Sequence, residues 1–516
     1  MNEPAAAKGL SERLAGMTPE ARAALEASLR RRVEKTGETA AIPRRGGSGP
    51  APLSFAQQRI WFLEQWEPGG FTHNGARAFR LSGRLDVPAL ERALETIVER
   101  HHVLRTIYVM RGREPEQHVL DDWTLTVHDV DLTSIIPEER DDEVRRQMGA
   151  LSREPFDLTS DLLLRATVFR LAPEDHVLLI RLHHIAFDAF SDRIFLDELG
   201  STYSALVRGE KLELPELPIQ YADFAIWQRT YLAGPRLREL IDFWRDALAD
   251  APQLLRLPID GARQSPQRHA GRHRDIVLPG TLIPAIGEVG RSAGGTPYMV
   301  LLAAFAVLLY RITGQDDIVV GTPIANRGRM ELQSLIGFFS NTIALRIRVG
   351  GNPTFREVVA RTREAAVAAY ACQELPFERV VEELRVPRDP RYNPIFQVNF
   401  RAQTEQRPAL ELADVRAEPI WFDIGFSRFD LALELRYESD RIGGYIEYDL
   451  DLFRDSTIDG LAHEVGAALE QLVGRPDRPV LELDVQPTWL RADGPRRGAI
   501  PRSEPRFPES DKETLT

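Results

Sequence analysis

Arg181-Leu-His-His-Ile-Ala-Phe-Asp-Ala-Phe-Ser191 is the stretch from which the rest of this chain is read. An apolar run, Val177 to Ile180, precedes it and reads as a buried strand, and polar residues break the run where that strand should end. Side chains alternate along a strand, so His184 is expected on the face of Leu178, Ile180 and Leu182, with His183 turned the other way beside Arg181. From Asp192 the period lengthens. Ile194/Phe195, Leu199, Tyr203 and Leu206 recur at helical spacing, and Gly209 supplies a stop. A strand end, a loop and a helix start hold loop side chains on rigid supports, where chemistry is commonly built. Taken alone, the two histidines have a plainer reading: one satisfied by a backbone carbonyl near a core, the other solvated.

Composition narrows the function classes. The chain has 516 residues, 43% hydrophobic and 28% charged, a globular balance long enough for two or three domains' worth of core. A net charge of −12 disfavours nucleic-acid binding, which needs a basic face. The single cysteine, Cys372, excludes an intrachain disulfide and a cysteine-based zinc site and suits a reducing cytoplasm, the expected location. Met1-Asn-Glu-Pro-Ala has no signal-peptide character, and the apolar run Met299 to Tyr310 falls short of the about 20 residues a bilayer span needs. That run reads as a buried helix. No metal site and no membrane partner are expected.

Working outward, residues 1–50 read as an N-terminal segment, with a polar helix from Thr18 (N-cap) and Pro19 to about Arg32. A Gly/Pro/Arg linker, Ile42 to Pro52, follows it. Gly46-Gly-Ser48 resembles part of a carrier-protein attachment motif, but no four-helix carrier surrounds it. The boundaries expected beyond are an N-terminal lobe over 51–228, a C-terminal lobe over 229–485 and a mobile tail over 486–516.

The motifs come in a fixed order. Leu53-Ser-Phe-Ala-Gln-Gln-Arg59-Ile-Trp-Phe-Leu63 is followed by an amphipathic helix capped by Asp86, then Arg100-His-His-Val-Leu-Arg105-Thr106. After His183-His-Ile-Ala-Phe-Asp188 come Tyr221-Ala-Asp-Phe-Ala-Ile-Trp227, Ile336-Gly-Phe-Phe-Ser-Asn341-Thr342, Cys372-Gln-Glu-Leu-Pro-Phe-Glu378 and Arg388-Asp-Pro-Arg-Tyr-Asn-Pro394. Together they resemble the seven core motifs of the condensation domains of nonribosomal peptide synthetases, members of the chloramphenicol-acetyltransferase-like acyltransferases. Three positions depart from the pattern: His102 stands where the family has an acid, Ser340 where it has an apolar residue, and Ala189 where it has glycine. Gly290-Arg-Ser-Ala-Gly294 matches a hydrolase nucleophile elbow, but the residues before it read as a helix rather than the strand that motif requires, so the match is fortuitous.

The resemblance implies an α/β fold of two chloramphenicol-acetyltransferase-like lobes in a V-shaped pseudo-dimer, with the active site in a central tunnel. It implies a condensation reaction in which an amine, or a hydroxyl, attacks an acyl thioester held on a carrier protein's phosphopantetheine arm. No bound cofactor is implied. Donor and acceptor carrier proteins are the expected partners, or a free small molecule as acceptor, and a monomer is expected. His184 is the candidate that takes or orients the proton, with His183 beside it. Asp188 is either catalytic or a buried carboxylate paired with an arginine. The second reading is favoured because pairing relieves the cost of burial, with Arg327 first as partner, then Arg105 and Arg59. Ala189 offers a backbone N–H to an oxyanion and, if its backbone is left-handed, costs about 1 kcal/mol relative to glycine. Ser191 is expected as an N-cap that shapes the loop, and Arg59, Arg105, Arg327 and Asn341 as structural or substrate-channel residues. With no adenylation signature and no carrier site in context, a free-standing enzyme is expected. The alternatives are an acyltransferase using acyl-CoA or another soluble donor, and a catalytically silent docking domain.

Overall fold

The computed structural model describes residues 41–482, except Ser48, Glu67, Arg388, 404–407 and Ser439. The helix expected at Thr18–Arg32 and the tail expected from 486 lie outside the described residues. The compact body begins at Arg44, ahead of the expected boundary at 51. Arg44 Nε donates to the Pro218 carbonyl (2.7 Å) and Arg45 N to Asp223 Oδ1 (3.1 Å), so the expected linker is tied down near its start.

In chain order the first half holds β1 (Ala51–Pro52), α1 (Phe55–Trp66), β2 (Asn74–Gly83), α2 (Val87–Arg100), β3 (Thr106–Arg111), β4 (Glu114–Val119), β5 (Val127–Asp131), α3 (Pro137–Ser152), β6 (Leu164–Ala172), β7 (Asp175–His183) and α4 (Ser191–Arg208). The second half holds α5 (Tyr221–Tyr231), α6 (Gly234–Leu248), β8 (Gly271–Pro279), α7 (Leu282–Ser292), α8 (Pro297–Thr313), β9 (Asp317–Ile324), β10 (Asn341–Arg348), α9 (Phe355–Ala371), α10 (Phe377–Glu383), β11 (Val398–Gln403), β12 (Val415–Ile420), β13 (Leu431–Tyr437), β14 (Arg441–Asp449) and α11 (Asp455–Gly474).

Local chemistry explains most boundaries. Asp86 accepts from Ala89 N to start α2, Thr296 accepts from Met299 N ahead of Pro297 to start α8, and left-handed Gly209 and Gly314 end α4 and α8. The apolar run from Met299 lies inside α8, which is buried around its whole circumference against the C-terminal sheet. Among the described residues no single helix is long and apolar enough to cross a membrane. The Gly290–Gly294 sequence lies at the end of α7, with no strand before it.

Two larger sheets organise the body: five strands in the order β12-β2-β7-β6-β5, and six in the order β10-β9-β11-β13-β14-β8. The first is not built from the N-terminal half alone. β12, beyond residue 228, pairs antiparallel with β2, with Val415 opposite Gly83 and Ile420 opposite Ala78. One strand from the span expected for the C-terminal lobe thus crosses over to the sheet of the N-terminal half. The segment Val-Arg-Ala-Glu-Pro-Ile carries little strand patterning, and Pro419 is tolerated because the strand lies on a sheet edge. β7, by contrast, is central, between β2 and β6, and buried from His176 to His183.

Candidate functional site

β7 stops one residue earlier than strand alternation suggests. His183 is its last residue, opposite Asn74 of β2, and His184 opens a short 3₁₀ turn to Ala186. His184 therefore does not share the buried face of Leu182. Its amide donates to the His73 carbonyl (2.8 Å), and the ring stands partly exposed with its centroid 6.3 Å from that of Phe338. Its Nδ1 lies 3.1 Å from the Phe187 carbonyl. A carbonyl only accepts, so Nδ1 carries the proton and Nε2 presents its lone pair. Burial first, then the Arg428 cation, pull this imidazole down to about 3, against the Phe187 hydrogen bond, so it is neutral across the physiological range.

His183 does a different job. It is 2% exposed, and its Nδ1 accepts the Ile185 amide (3.2 Å), which leaves Nε2–H facing Glu64 Oε1 at 3.6 Å. Glu64 Oε1 also takes His73 Nδ1 at 2.6 Å. Burial raises the Glu64 carboxyl, but the imidazoles of His183 and His73 outweigh it and hold the group at about 2. Glu64 and His73 were not among the residues expected from the sequence; the only signal was a carboxylate one turn beyond the Arg59 motif.

Asp188 is a structural hub, as the paired-carboxylate reading requires. It is 1% exposed, and Arg327 Nη2 reaches its Oδ1 at 3.1 Å. The same oxygen accepts from Ser191 N (2.9 Å) and Ser191 Oγ (2.8 Å), while Oδ2 accepts from Phe339 N (3.0 Å), Ser340 N (3.1 Å) and Ser340 Oγ (3.1 Å). Ser340 thus adds a donor where an apolar side chain had been expected. Ser191 is corrected: it is the first residue of α4, Phe190 holds the N-cap position, and the Asp188 carboxylate accepts the Ser191 amide. The Ser191 hydroxyl also accepts from Arg327 Nη2 (2.9 Å) and Gly337 N (3.1 Å). Arg327 gives its Nη1 to the Leu332 and Leu335 carbonyls, both at 2.6 Å. Gly337 is required here: a Cβ would fall 2.2 Å from the Tyr221 ring, whose hydroxyl donates to the Phe338 carbonyl at 2.6 Å.

The other candidates take different partners. Arg59 pairs with Glu378 of α10 (2.7 Å), and Arg105 hydrogen-bonds the Leu120 carbonyl, so neither serves Asp188. Asn341 staples the chain: Nδ2 donates to the Gln373 (2.9 Å) and Leu375 (2.8 Å) carbonyls, and Oδ1 accepts from Phe377 N (3.0 Å). His102, in the acid's place, is drawn down to about 4 by burial and by the Arg105 and Arg45 cations.

Ala189 is exposed and is not among the described residues with left-handed backbone, so no glycine-dependent strain arises. Ala189→Gly should leave kcat within about twofold and lower stability by less than about 1 kcal/mol. A large gain in turnover on that change, measured in parallel with the parent, would show that the methyl group does obstruct the site.

Protonation of these groups makes the fold acid-sensitive. His73 and His102 are drawn to about 4 and His184 to about 3, from an ordinary 6.5, and His176 is lowered too. Below 6.5 the unfolded chain binds protons that the folded chain refuses, so stability present above that pH is lost as pH falls towards 4. Each such proton contributes about 1.4 kcal/mol per pH unit. Asp449, raised by burial to about 6, Asp197 and Asp430, also raised by burial, and His273, raised by Glu447 against burial, oppose the trend; the prediction is that the large downward shifts of His73, His102 and His184 prevail. Thermal unfolding between pH 7 and 4 should show a continuous fall in Tm; a flat profile would contradict the buried neutral histidines.

Comparison with known proteins agrees with this geometry. The condensation-domain family model matches residues 48–489. The chain is 39% identical to a component of the linear gramicidin synthase of Brevibacillus parabrevis, over 93% of this chain but 6% of that protein. It is 38% identical to phosphinothricin tripeptide synthetase PhsC of Streptomyces viridochromogenes, over 92% of this chain and 44% of that protein. Among solved structures, the X-domain of teicoplanin biosynthesis, in its complex with OxyB, superposes with a TM-score of 0.79 at 30% identity, covering 87% of this chain and 98% of that one. SgcC5 of Streptomyces globisporus gives 0.69 at 29% identity, covering 83% and 100%. The architecture is the two-lobed chloramphenicol-acetyltransferase-like one, and the chain belongs to the condensation-domain family of nonribosomal peptide synthetases.

Proposed function

We propose that this chain transfers an acyl or aminoacyl group from a carrier protein's phosphopantetheine thioester to an amine, forming an amide during natural-product assembly. The observation that carries the reading is His184: neutral, partly exposed, its proton fixed on Nδ1 by Phe187 and its Nε2 lone pair unspent. A group held near 3 is a poor base towards a hydroxyl. It suits an amine with a pKa near about 8, a fair fraction of which is already neutral and needs its proton removed only after attack has made it strongly acidic.

A soluble donor such as acyl-CoA would use the same imidazole. A second reading, a silent docking domain, draws on the X-domain solved in complex with OxyB. The intact His184 geometry favours catalysis over that reading. Candidate carrier proteins loaded with acyl and aminoacyl groups should give a condensed, carrier-bound product by intact-protein mass spectrometry. A product from acyl-CoA alone would point to the soluble donor, and tight carrier binding without turnover would point to the docking domain.

A further inference from the structure

We propose that Arg428 is a binding group for an anionic oxygen brought to His184 by the substrates; this rests on the condensation reaction proposed above. Arg428 stands just before β13 on a pinned backbone: its amide donates to Glu447 Oε1 (3.2 Å), and the neighbouring Ser427 Oγ donates to the Phe429 carbonyl (2.7 Å). The guanidinium reaches the loop before β2, where Nη2 meets the Thr72 carbonyl at 3.4 Å. Thr72 adjoins His73, whose carbonyl holds the His184 amide.

What sets Arg428 apart is how little it is given. Arg77 pairs with Asp192 (2.6 Å), Arg263 with Asp430, and Arg327 with Asp188, two carbonyls and a hydroxyl. Among the described residues no carboxylate oxygen lies within 4.0 Å of the Arg428 guanidinium, and its one hydrogen bond is long. A guanidinium has five donors, and those that the protein leaves open here are not sealed from solvent, so they can be offered to an incoming anion. Burial and the nearby Arg59 cation lower Arg428 only to about 10, so it stays charged at neutral pH, and after burial it is the strongest influence on His184.

The reaction itself generates such an oxygen. As the amine nitrogen bonds to the thioester carbon, the carbonyl π pair moves to oxygen. When that pair returns, the carbon–sulfur bond breaks, and the proton shed by nitrogen passes by way of His184 to the departing thiolate. Arg428 would hold the oxygen while it is negative. A substrate carboxylate or the phosphate of the pantetheine arm presents the same chemistry.

Arg428→Gln and Arg428→Lys separate these sources. Arg428→Gln should keep the parent Tm and raise the His184 pKa, followed by NMR of labelled histidine, because a cation has been removed. With both carrier-bound substrates saturating, kcat should fall about 100-fold, and Arg428→Lys should recover about tenfold of it. Equal loss for every acyl donor identifies the thioester oxyanion. A KM increase confined to carboxylate-bearing substrates identifies a substrate carboxylate. A lost preference for phosphopantetheine over pantetheine thioesters identifies the phosphate. The proposal is overturned if the His184 pKa rises as expected while kcat and KM stay within about twofold for every substrate. Should the parent show no turnover, the condensation reading fails, and titration of the parent with inorganic phosphate and with acetate decides the anion site: a rise in His184 pKa absent from Arg428→Gln supports it, and no rise overturns it.

Discussion

Asp188→Ala is expected to cost about 3–5 kcal/mol of stability, the range seen when one partner of a buried ion pair is removed. The loss comes from what remains behind. Arg327, 5% exposed, keeps its charge with no carboxylate, and the Phe339 and Ser340 amides lose their acceptor, while the Ser191 amide keeps only the residue 188 carbonyl. Because residues 327 and 337–340 lie in the C-terminal half and Asp188 in the N-terminal half, the seam between the two sheets loosens as a whole. Denaturant unfolding of the purified variant measures this. Replacing Arg327 as well, by methionine, should restore part of the loss, since an apolar pair leaves no buried charge uncompensated. A fully stable Asp188→Ala protein without activity would overturn the structural assignment and make the carboxylate a participant in the reaction.

His184→Ala is expected to behave in the opposite way, with kcat reduced about 10²–10⁴-fold and Tm nearly unchanged. The ring is partly exposed, and its one hydrogen bond to the Phe187 carbonyl spans a tight turn, so little packing is lost. Single-turnover transfer between loaded carrier proteins, followed by mass spectrometry, reads the chemical step apart from release. Product formation within about tenfold of the parent would mean that position alone drives the transfer and would remove the imidazole from the mechanism. His183→Ala serves as the contrast: that side chain accepts the Ile185 amide inside the protein, so its loss should lower Tm before it lowers kcat.

Short-range sequence chemistry was sufficient for several features. Caps at Asp86 and Thr296, stops at Gly209 and Gly314 and the apolar helix from Pro297 follow from residues within a turn of one another. The order of the seven motifs carried the family, and the cost of burying an isolated carboxylate pointed from Asp188 to an arginine, with Arg327 the first choice among three.

Tertiary structure decided the rest. Strand periodicity placed His184 with the core, but pairing with β2 ends at Asn74, and the His73 carbonyl captures the His184 amide, turning the ring outward. Ser191 reads as a cap until the helix starts at Ser191 itself, Asp188 accepts its amide and Arg327 claims the hydroxyl from a distant segment. β12 joins the N-terminal sheet because an edge strand accepts a weak pattern and a proline that no central strand would take. Glu64, His73 and Arg428 acquire their electrostatic roles only when chain segments far apart in sequence close around His184. Long-range hydrogen bonds and desolvation leave no periodic trace along the chain, whereas caps, stops and apolar faces do. The sequence therefore determined the family, several helix limits and the candidate imidazole; the folded structure determined that imidazole's direction, its tautomer and the charges around it.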